Sequence, residues 1–303
     1  MRLAGSQNRV ENMAEMIEKL IQDYRDRAVT RREFIHRAVL VTGSLTVATT
    51  LVDSLAPTKS HANLVDPNDP ALISSDIKYS STDGVSIGAY LTRPQGEGRL
   101  PAVVVLHENR GLVDHVRDVA RRLAKAGYVA LAPDLLSRQG GTGSFGSPAE
   151  AIEGIRKVDE EVVTKDLTGG INYLKGQNYV RASKIGVVGF CWSGGQATLI
   201  LTRNRDLAAG VVYYGRNPND LDDVNNISAP VLASYGEKDE RITAKVPELV
   251  EAMKKHGKSF EYKIYPGAQH AFNNDTNPQR YNAEAAKDAW GRTLEFFKKH
   301  LQS

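Results

Sequence analysis

Ile185-Gly186-Val187-Val188-Gly189-Phe190-Cys191-Trp192-Ser193-Gly194-Gly195 is the stretch whose reading decides the fold. Its apolar, β-branched run has the pattern of a buried strand, and the small residues followed by Gln196 to Leu201 read as a helix. A sharp strand-to-helix turn of this kind can push one side chain out beyond the sheet, provided its neighbours are small. The side chain at that point is Cys191, the only cysteine of the chain. An isolated cysteine is usually a small buried hydrophobe. The frame of Gly189, Gly194 and Gly195 reverses that reading, because an ordinary core cysteine needs no glycines around it.

Outward from this turn, apolar runs alternate with helical spacings. Ile77 to Tyr79 and Val85 to Thr92 read as strands joined by the hairpin signal Thr82-Asp83-Gly84. Pro101 to Leu106 and Tyr128 to Ala132 have the continuous apolar pattern of strands buried on both faces, with a helix from about Asp114 to Ala126 between them. A Gly-rich loop runs from Arg138 to Gly146, and a helix is expected from Pro148 through Leu174 with a break near Gly169-Gly170. Beyond the central strand, Ala209 to Tyr214, Pro230 to Tyr235 and Phe260 to Tyr265 read as strands. Ala244 to His256 and Tyr281 to Leu301 read as helices. Such alternation predicts one α/β domain over residues 63–303, a doubly wound and mostly parallel sheet with helices on both faces. Chemistry in these sheets gathers after the carboxyl ends of the strands.

Residues 1–62 read as a leader. Thr30-Arg31-Arg32-Glu33-Phe34-Ile35 resembles the twin-arginine export motif, Ala38 to Val52 is apolar and uncharged, and Ser60-His61-Ala62 is a small-x-small cleavage pattern. The apolar run is shorter than the roughly 20 residues of a membrane span. Membrane contact is therefore expected only during export, with the mature chain periplasmic or extracytoplasmic. Met13 and Met16 are alternative start positions. The 303 residues carry 25% charged residues and a formal net charge of +3, and no basic tract points to nucleic acid. One cysteine excludes an intrachain disulfide, and no clustered Cys/His set marks a structural zinc site.

Four candidate residues stand after strands: Glu108, Cys191, Asp239 and His270. A free thiol is only a few per cent thiolate at neutral pH, so a working cysteine needs a base. His270 can supply it, and Asp239 can hold the imidazole. The order nucleophile, acid, histidine is that of α/β-hydrolase triads. Backbone N–H groups of Trp192 and of the loop at Asn109 are placed by that pattern to receive an oxyanion. Each residue also has a structural reading: His270 as a core or capping histidine, Asp239 as a turn residue, Glu108 as a partner of Arg110. Trp192, Phe145, Tyr213 and Tyr214 fit either a pocket wall or the core.

Gly-Phe-Cys-Trp-Ser-Gly-Gly, His-Glu-Asn-Arg-Gly from His107, Pro-Gly-Ala-Gln-His-Ala-Phe from Pro266 and the segment Ala132 to Gln139 resemble motifs of the dienelactone hydrolase family of α/β-hydrolases. The resemblance spans Ile77 to the C-terminus. It implies a Cys191–Asp239–His270 triad that cleaves a small-molecule ester or lactone through a thioester acyl-enzyme, without metal or organic cofactor. It further implies that Glu108 holds or deprotonates the thiol and that Arg138 binds a substrate carboxylate. Two departures stand out. Ser193 replaces a glycine of the family, and Ala271-Phe272-Asn273-Asn274 offers no second carboxylate-binding arginine. Two rival readings are a ligand-binding protein that keeps the fold without turnover and a redox-sensing thiol. The second lacks a resolving cysteine. Neither a G-x-G-x-x-G nor a G-x-x-x-x-G-K-[ST] motif occurs, and His107-Glu108 with His115 has the wrong spacing for a zinc helix. Oligomeric state is not legible.

Overall fold

Val-rich runs that are apolar at every position need cover on both faces, and helices on the two sides of one sheet supply it. The computed structural model describes residues 13, 15–23, 29–44, 47–48 and 64–303. Strands β1 (Leu72–Ser80), β2 (Ser86–Pro94), β3 (Leu100–Leu106), β4 (Val129–Pro133), β5 (Val180–Phe190), β6 (Leu207–Tyr213), β7 (Val231–Gly236) and β8 (Phe260–Tyr265) form one sheet. Its order is β1-β2-β4-β3-β5-β6-β7-β8. The hairpin β1–β2 and the pair β2–β4 are antiparallel, and all other pairings are parallel. This is the mostly parallel α/β-hydrolase sheet expected from the sequence.

The helices of eight or more residues among residues 64–303 are α1 (Asp114–Lys125), α2 (Pro148–Arg156), α3 (Glu160–Lys175), α4 (Trp192–Arg203), α5 (Val246–Lys255) and α6 (Ala283–Phe297). Successive strand side chains point to opposite faces. Val103, Val105 and Val188 therefore pack with Val119 and Leu123 of α1 and Phe297 of α6. Val104, Leu106 and Val187 pack with Leu167 of α3, Ile200 of α4 and Leu249 of α5. Each such buried side chain stabilises the fold by about 1.5–3 kcal/mol.

The expected helix over 148–174 is two helices, and its break lies elsewhere. Asp159 opens α3 by accepting hydrogen bonds from Glu161 N at 2.8 Å and Val162 N at 3.3 Å. Gly169 and Gly170 sit inside α3 instead of interrupting it. A Cβ at Gly169 would stand 2.5 Å from Ser80 O, so this glycine serves the close approach of α3 to the end of β1. The last helix is also shorter than expected. Asn282 caps α6 by accepting from Ala285 N at 3.1 Å, and α6 ends in a wider π-helical turn over Lys298–Gln302.

The chain divides into two units, residues 1–61 and 62–303. In the first, a helix over Arg31–Thr42 begins at a capping box in which Thr30 and Glu33 satisfy each other's backbone N–H groups, and Gly43 closes it. Phe34 and Ala38 of this helix are buried with Leu20, Val29 and Ala48. Among the described residues no helix is long and apolar enough to cross a membrane. The cleavage pattern at Ser60-His61-Ala62 lies outside the described residues.

Candidate active site

β5 ends at Phe190 and α4 begins at Trp192, so the whole turn falls on Cys191. Its backbone sits at φ 58° and ψ −120°, a conformation that costs a non-glycine residue on the order of 1–3 kcal/mol. The neighbours hold it there. Cys191 N donates to Tyr213 O at 3.0 Å, and Gly194 N donates to Cys191 O at 3.1 Å. A Cβ at Gly189 would lie 2.1 Å from Ser193 O, so the turn closes only over a bare α-carbon. Ser193 is an asset here: its Oγ accepts from Phe190 N at 3.2 Å and donates to Phe190 O at 3.1 Å, stapling the turn across its base.

The turn aims the thiol at the loop after β8. Cys191 Sγ lies 3.0 Å from His270 Nε2, and His270 Nδ1 is hydrogen-bonded to Asp239 Oδ2. Ionised Asp239 only accepts, so Nδ1 carries the proton of that bond. Burial alone would pull the imidazole pKa down, but the hydrogen bonds to Asp239 and Cys191 outweigh it and leave His270 raised to about 9. Asp239 stands just after β7, where Asp239 N donates to Gly236 O at 3.0 Å and its own carbonyl accepts from Thr243 N at 2.8 Å. The segments after the parallel strands β5, β7 and β8 thus bring together the three residues expected to meet.

Glu108 is near them but differently engaged. Its Oε2 accepts from Asn274 Nδ2 at 2.6 Å and its Oε1 from Tyr214 Oη at 3.3 Å. Burial, and the carboxylate it faces, keep the Tyr214 phenol far above its usual pKa, so it stays a donor. Among the described residues the hydrogen-bond partner of Sγ is His270, not Glu108. The expected contact of Glu108 with the thiol is not among its hydrogen bonds, which go to Asn274 and Tyr214. His107 sets this loop: its Nδ1 meets Glu108 O at 2.7 Å and its Nε2 accepts from Leu135 N at 3.1 Å.

A cavity of about 510 Å³ has Asn109, Cys191, Trp192, Tyr214 and His270 in its wall. Ile152, Ile155 and Val158, around the junction of α2 and α3, form its apolar side. Trp192 opens α4, so its N–H is among the helix-start amides that lack an intrahelical acceptor. Asn109 and Trp192 share the cavity with the thiol, as an oxyanion site requires. Of the four aromatic residues with two readings, Trp192 and Tyr214 line the cavity. Tyr213 is core, its hydroxyl 2.8 Å from Thr293 Oγ1, and Phe145 packs with Leu136 and Ile155.

Arg138 is not in that wall. Its Nε donates to both Asp166 oxygens at 3.1 Å, and its Nη2 reaches Asp83 Oδ1 at 2.8 Å and Asp166 Oδ1 at 2.7 Å. The hydrogen bond from Arg138 in turn holds Asp83 down at about 2. The guanidinium ties the β1–β2 turn to α3, which leaves it committed to protein carboxylates rather than to a substrate. The cations that do line the cavity are Arg156, Arg216 and Arg241, which sequence reasoning did not single out. Among the described residues no group of three or more His, Cys, Asp or Glu side chains is placed to hold a metal.

The sequence profile of the dienelactone hydrolase family matches residues 87–301, the whole span from β2 through α6. The chain belongs to the dienelactone hydrolase family. A "Putative carboxymethylenebutenolidase" of Methylorubrum extorquens is 36% identical over 240 residues, covering 76% of this chain and 82% of that protein. A "Probable 2-oxo-3-(5-oxofuran-2-ylidene)propanoate lactonase" of a Bradyrhizobium species is 38% identical, covering 73% and 92%. The crystal structure of a "Putative Dienelactone Hydrolase" from Klebsiella pneumoniae superposes with a TM-score of 0.69 at 32% identity, over 76% of this chain and 100% of that one. In this member of the dienelactone hydrolase family, Asn109 and His270 share one cavity with the strained turn at Cys191.

Proposed function

We propose that this chain hydrolyses a carboxylic ester or lactone of a small molecule by covalent catalysis on Cys191, with His270 as acid/base and Asp239 as its orienter. As a member of the dienelactone hydrolase family it is a carboxylic ester hydrolase. The observation that carries the mechanism is the line Cys191 Sγ, His270 and Asp239, with 3.0 Å between sulfur and Nε2.

His270 takes the thiol proton as sulfur attacks the acyl carbon, forming the S–C bond and pushing the carbonyl electrons onto oxygen. The N–H of Trp192 and the loop at Asn109 receive that oxyanion, and one such donor is typically worth about 3 kcal/mol. Collapse of the tetrahedral species breaks the C–O bond, and the alkoxide takes the proton from His270. A thioester remains. Water, deprotonated by His270, then attacks it and releases the acid and the thiol.

A rapid acid quench during turnover tests this reading. An aryl ester should leave only its acyl group on the peptide bearing Cys191. A lactone should add its full mass there, because its leaving oxygen stays attached. Turnover with an acyl adduct on a different residue, and none on Cys191, would rule the mechanism out.

Residues 1–62 serve on this reading as a twin-arginine export leader, supported by Thr30 to Ile35 and the apolar run behind them. The mature hydrolase is extracytoplasmic and touches the membrane only during export. Replacing Arg31 and Arg32 together by lysine in the full chain should leave the protein unprocessed in the cytoplasm of a host with that pathway. Unchanged processing would exclude this route.

A further inference from the structure

The loop carrying His107, Glu108 and Asn109 runs directly into α1, and α1 turns a group of charged side chains inward. His115, Asp118 and Arg121 are buried, and the Arg122 side chain is 12% exposed. Asp118 Oδ2 accepts from Arg122 Nε at 2.5 Å, and its Oδ1 accepts from Val65 N at 2.8 Å. Arg121 Nε donates to Val65 O at 2.9 Å. Opposite this cluster stands Asp275, whose side chain is 2% exposed. Its Oδ2 accepts from Arg122 Nη2 at 3.3 Å. Its Oδ1 lies 3.1 Å from His115 Nδ1, close but out of line for a hydrogen bond.

Asp275 belongs to the short segment that begins at the candidate base. Asn274, its neighbour, holds Glu108, and His270 meets Cys191 and Asp239. Between them the backbone is irregular. Ala271 sits at φ 64°, a left-handed conformation with little intrinsic preference for alanine, so contacts elsewhere must hold it. One such contact is Asn282 N donating to Phe272 O at 3.0 Å. Another is the anchorage of Asp275 on Arg122 of α1. A buried ion cluster adds little net stability over apolar packing of the same volume, whereas removing one partner is costly. Its use here is geometric, since α1 follows directly on the loop that carries Glu108 and Asn109.

We propose that Asp275 is a positioning residue: anchored on Arg122 and the Asp118 cluster of α1, it fixes the turn that presents His270 to Cys191 and Asn274 to Glu108. It touches no substrate. This rests on the reading of Cys191 and His270 as the working pair, and the two are separable because Cys191 is the only cysteine of the chain. Alkylation by iodoacetamide therefore reports one thiol, and its rate at neutral pH reports the partnership of that thiol with the base.

The experiment measures the alkylation rate, kcat and KM on an aryl ester, and the melting temperature of the full-length wild type, Asp275→Asn and Arg122→Gln. Both variants should lower kcat about 10–100-fold while KM stays within about twofold, the signature of a displaced catalytic group. Both should also slow alkylation of the thiol at neutral pH several-fold, because the base no longer faces the sulfur. Arg122→Gln breaks the anchor from the other side and serves where Asp275→Asn is not recovered folded. Variants that melt earlier yet keep the wild-type kcat and alkylation rate would show that the cluster is structural only. A wild-type thiol alkylated at the same rate as in a His270→Ala variant would overturn the Cys191–His270 reading, and the positioning role with it.

Discussion

Cys191→Ala is expected to lower kcat/KM on a small aryl ester by about 10⁵-fold, on the order of 7 kcal/mol of transition-state stabilisation at about 1.4 kcal/mol per decade. The loss is this large because base, orienter and oxyanion donors act through the sulfur and contribute little to acyl transfer without it. Residual hydrolysis should come from the cavity and the oxyanion site alone, which typically leave a factor of about 10³ over water. The fold should survive, since Cys191 is held in place by backbone bonds to Tyr213 O and Gly194 N that alanine keeps. Cys191→Gly makes the companion measurement. It removes the same sulfur but relieves a positive φ of 58°, so it should be as inactive as the alanine variant and at least as resistant to heat. Initial rates and thermal melts on the pair check both halves. A Cys191→Ala protein with more than about one hundredth of wild-type activity would mean that the chemistry runs elsewhere.

The sheet and the three central residues were legible because their signals are local. A Val-rich run such as Pro101 to Leu106 declares a doubly covered strand by itself, and Cys191, Asp239 and His270 each follow a strand end. The same holds for the glycine frame at Cys191: the demand for a bare α-carbon at Gly189 is set by Ser193, four residues on. What sequence could not show depends on partners far along the chain. Arg138 was expected to bind a substrate carboxylate, but the fold brings Asp83 and Asp166 to it instead. Glu108 was expected at the thiol, yet its hydrogen bonds go to Asn274 and Tyr214. Gly169 looked like a helix break because glycine is a poor helix former, while its actual cause, the carbonyl of Ser80, lies on another element. The apolar side of the cavity escaped notice for the same reason, since Ile152 and Ile155 carry an ordinary amphipathic helix pattern.

Asp239→Asn should be nearly as damaging to turnover as loss of the nucleophile, about 10⁴-fold in kcat, with little change in KM. The asparagine keeps the volume but can present an N–H to His270 Nδ1 in place of a carboxylate oxygen. The imidazole then carries its proton on Nε2, facing Cys191, and has no lone pair with which to accept the thiol proton. The charge matters as well as the tautomer. Burial lowers the His270 pKa, and the bonds to Asp239 and Cys191 reverse this and raise it to about 9. A raised folded-state pKa contributes stability that is complete below the unfolded value near 6.5 and is lost as pH climbs through about 9. Without the carboxylate the balance tips back toward burial, and that contribution shrinks. The melting temperature of the wild type should therefore exceed that of Asp239→Asn most clearly near pH 6, with the gap narrowing toward pH 10. A gap that stays constant across this range would show that the Asp239–His270 pair is not linked to protonation, and undiminished kcat in the same variant would remove Asp239 from the mechanism.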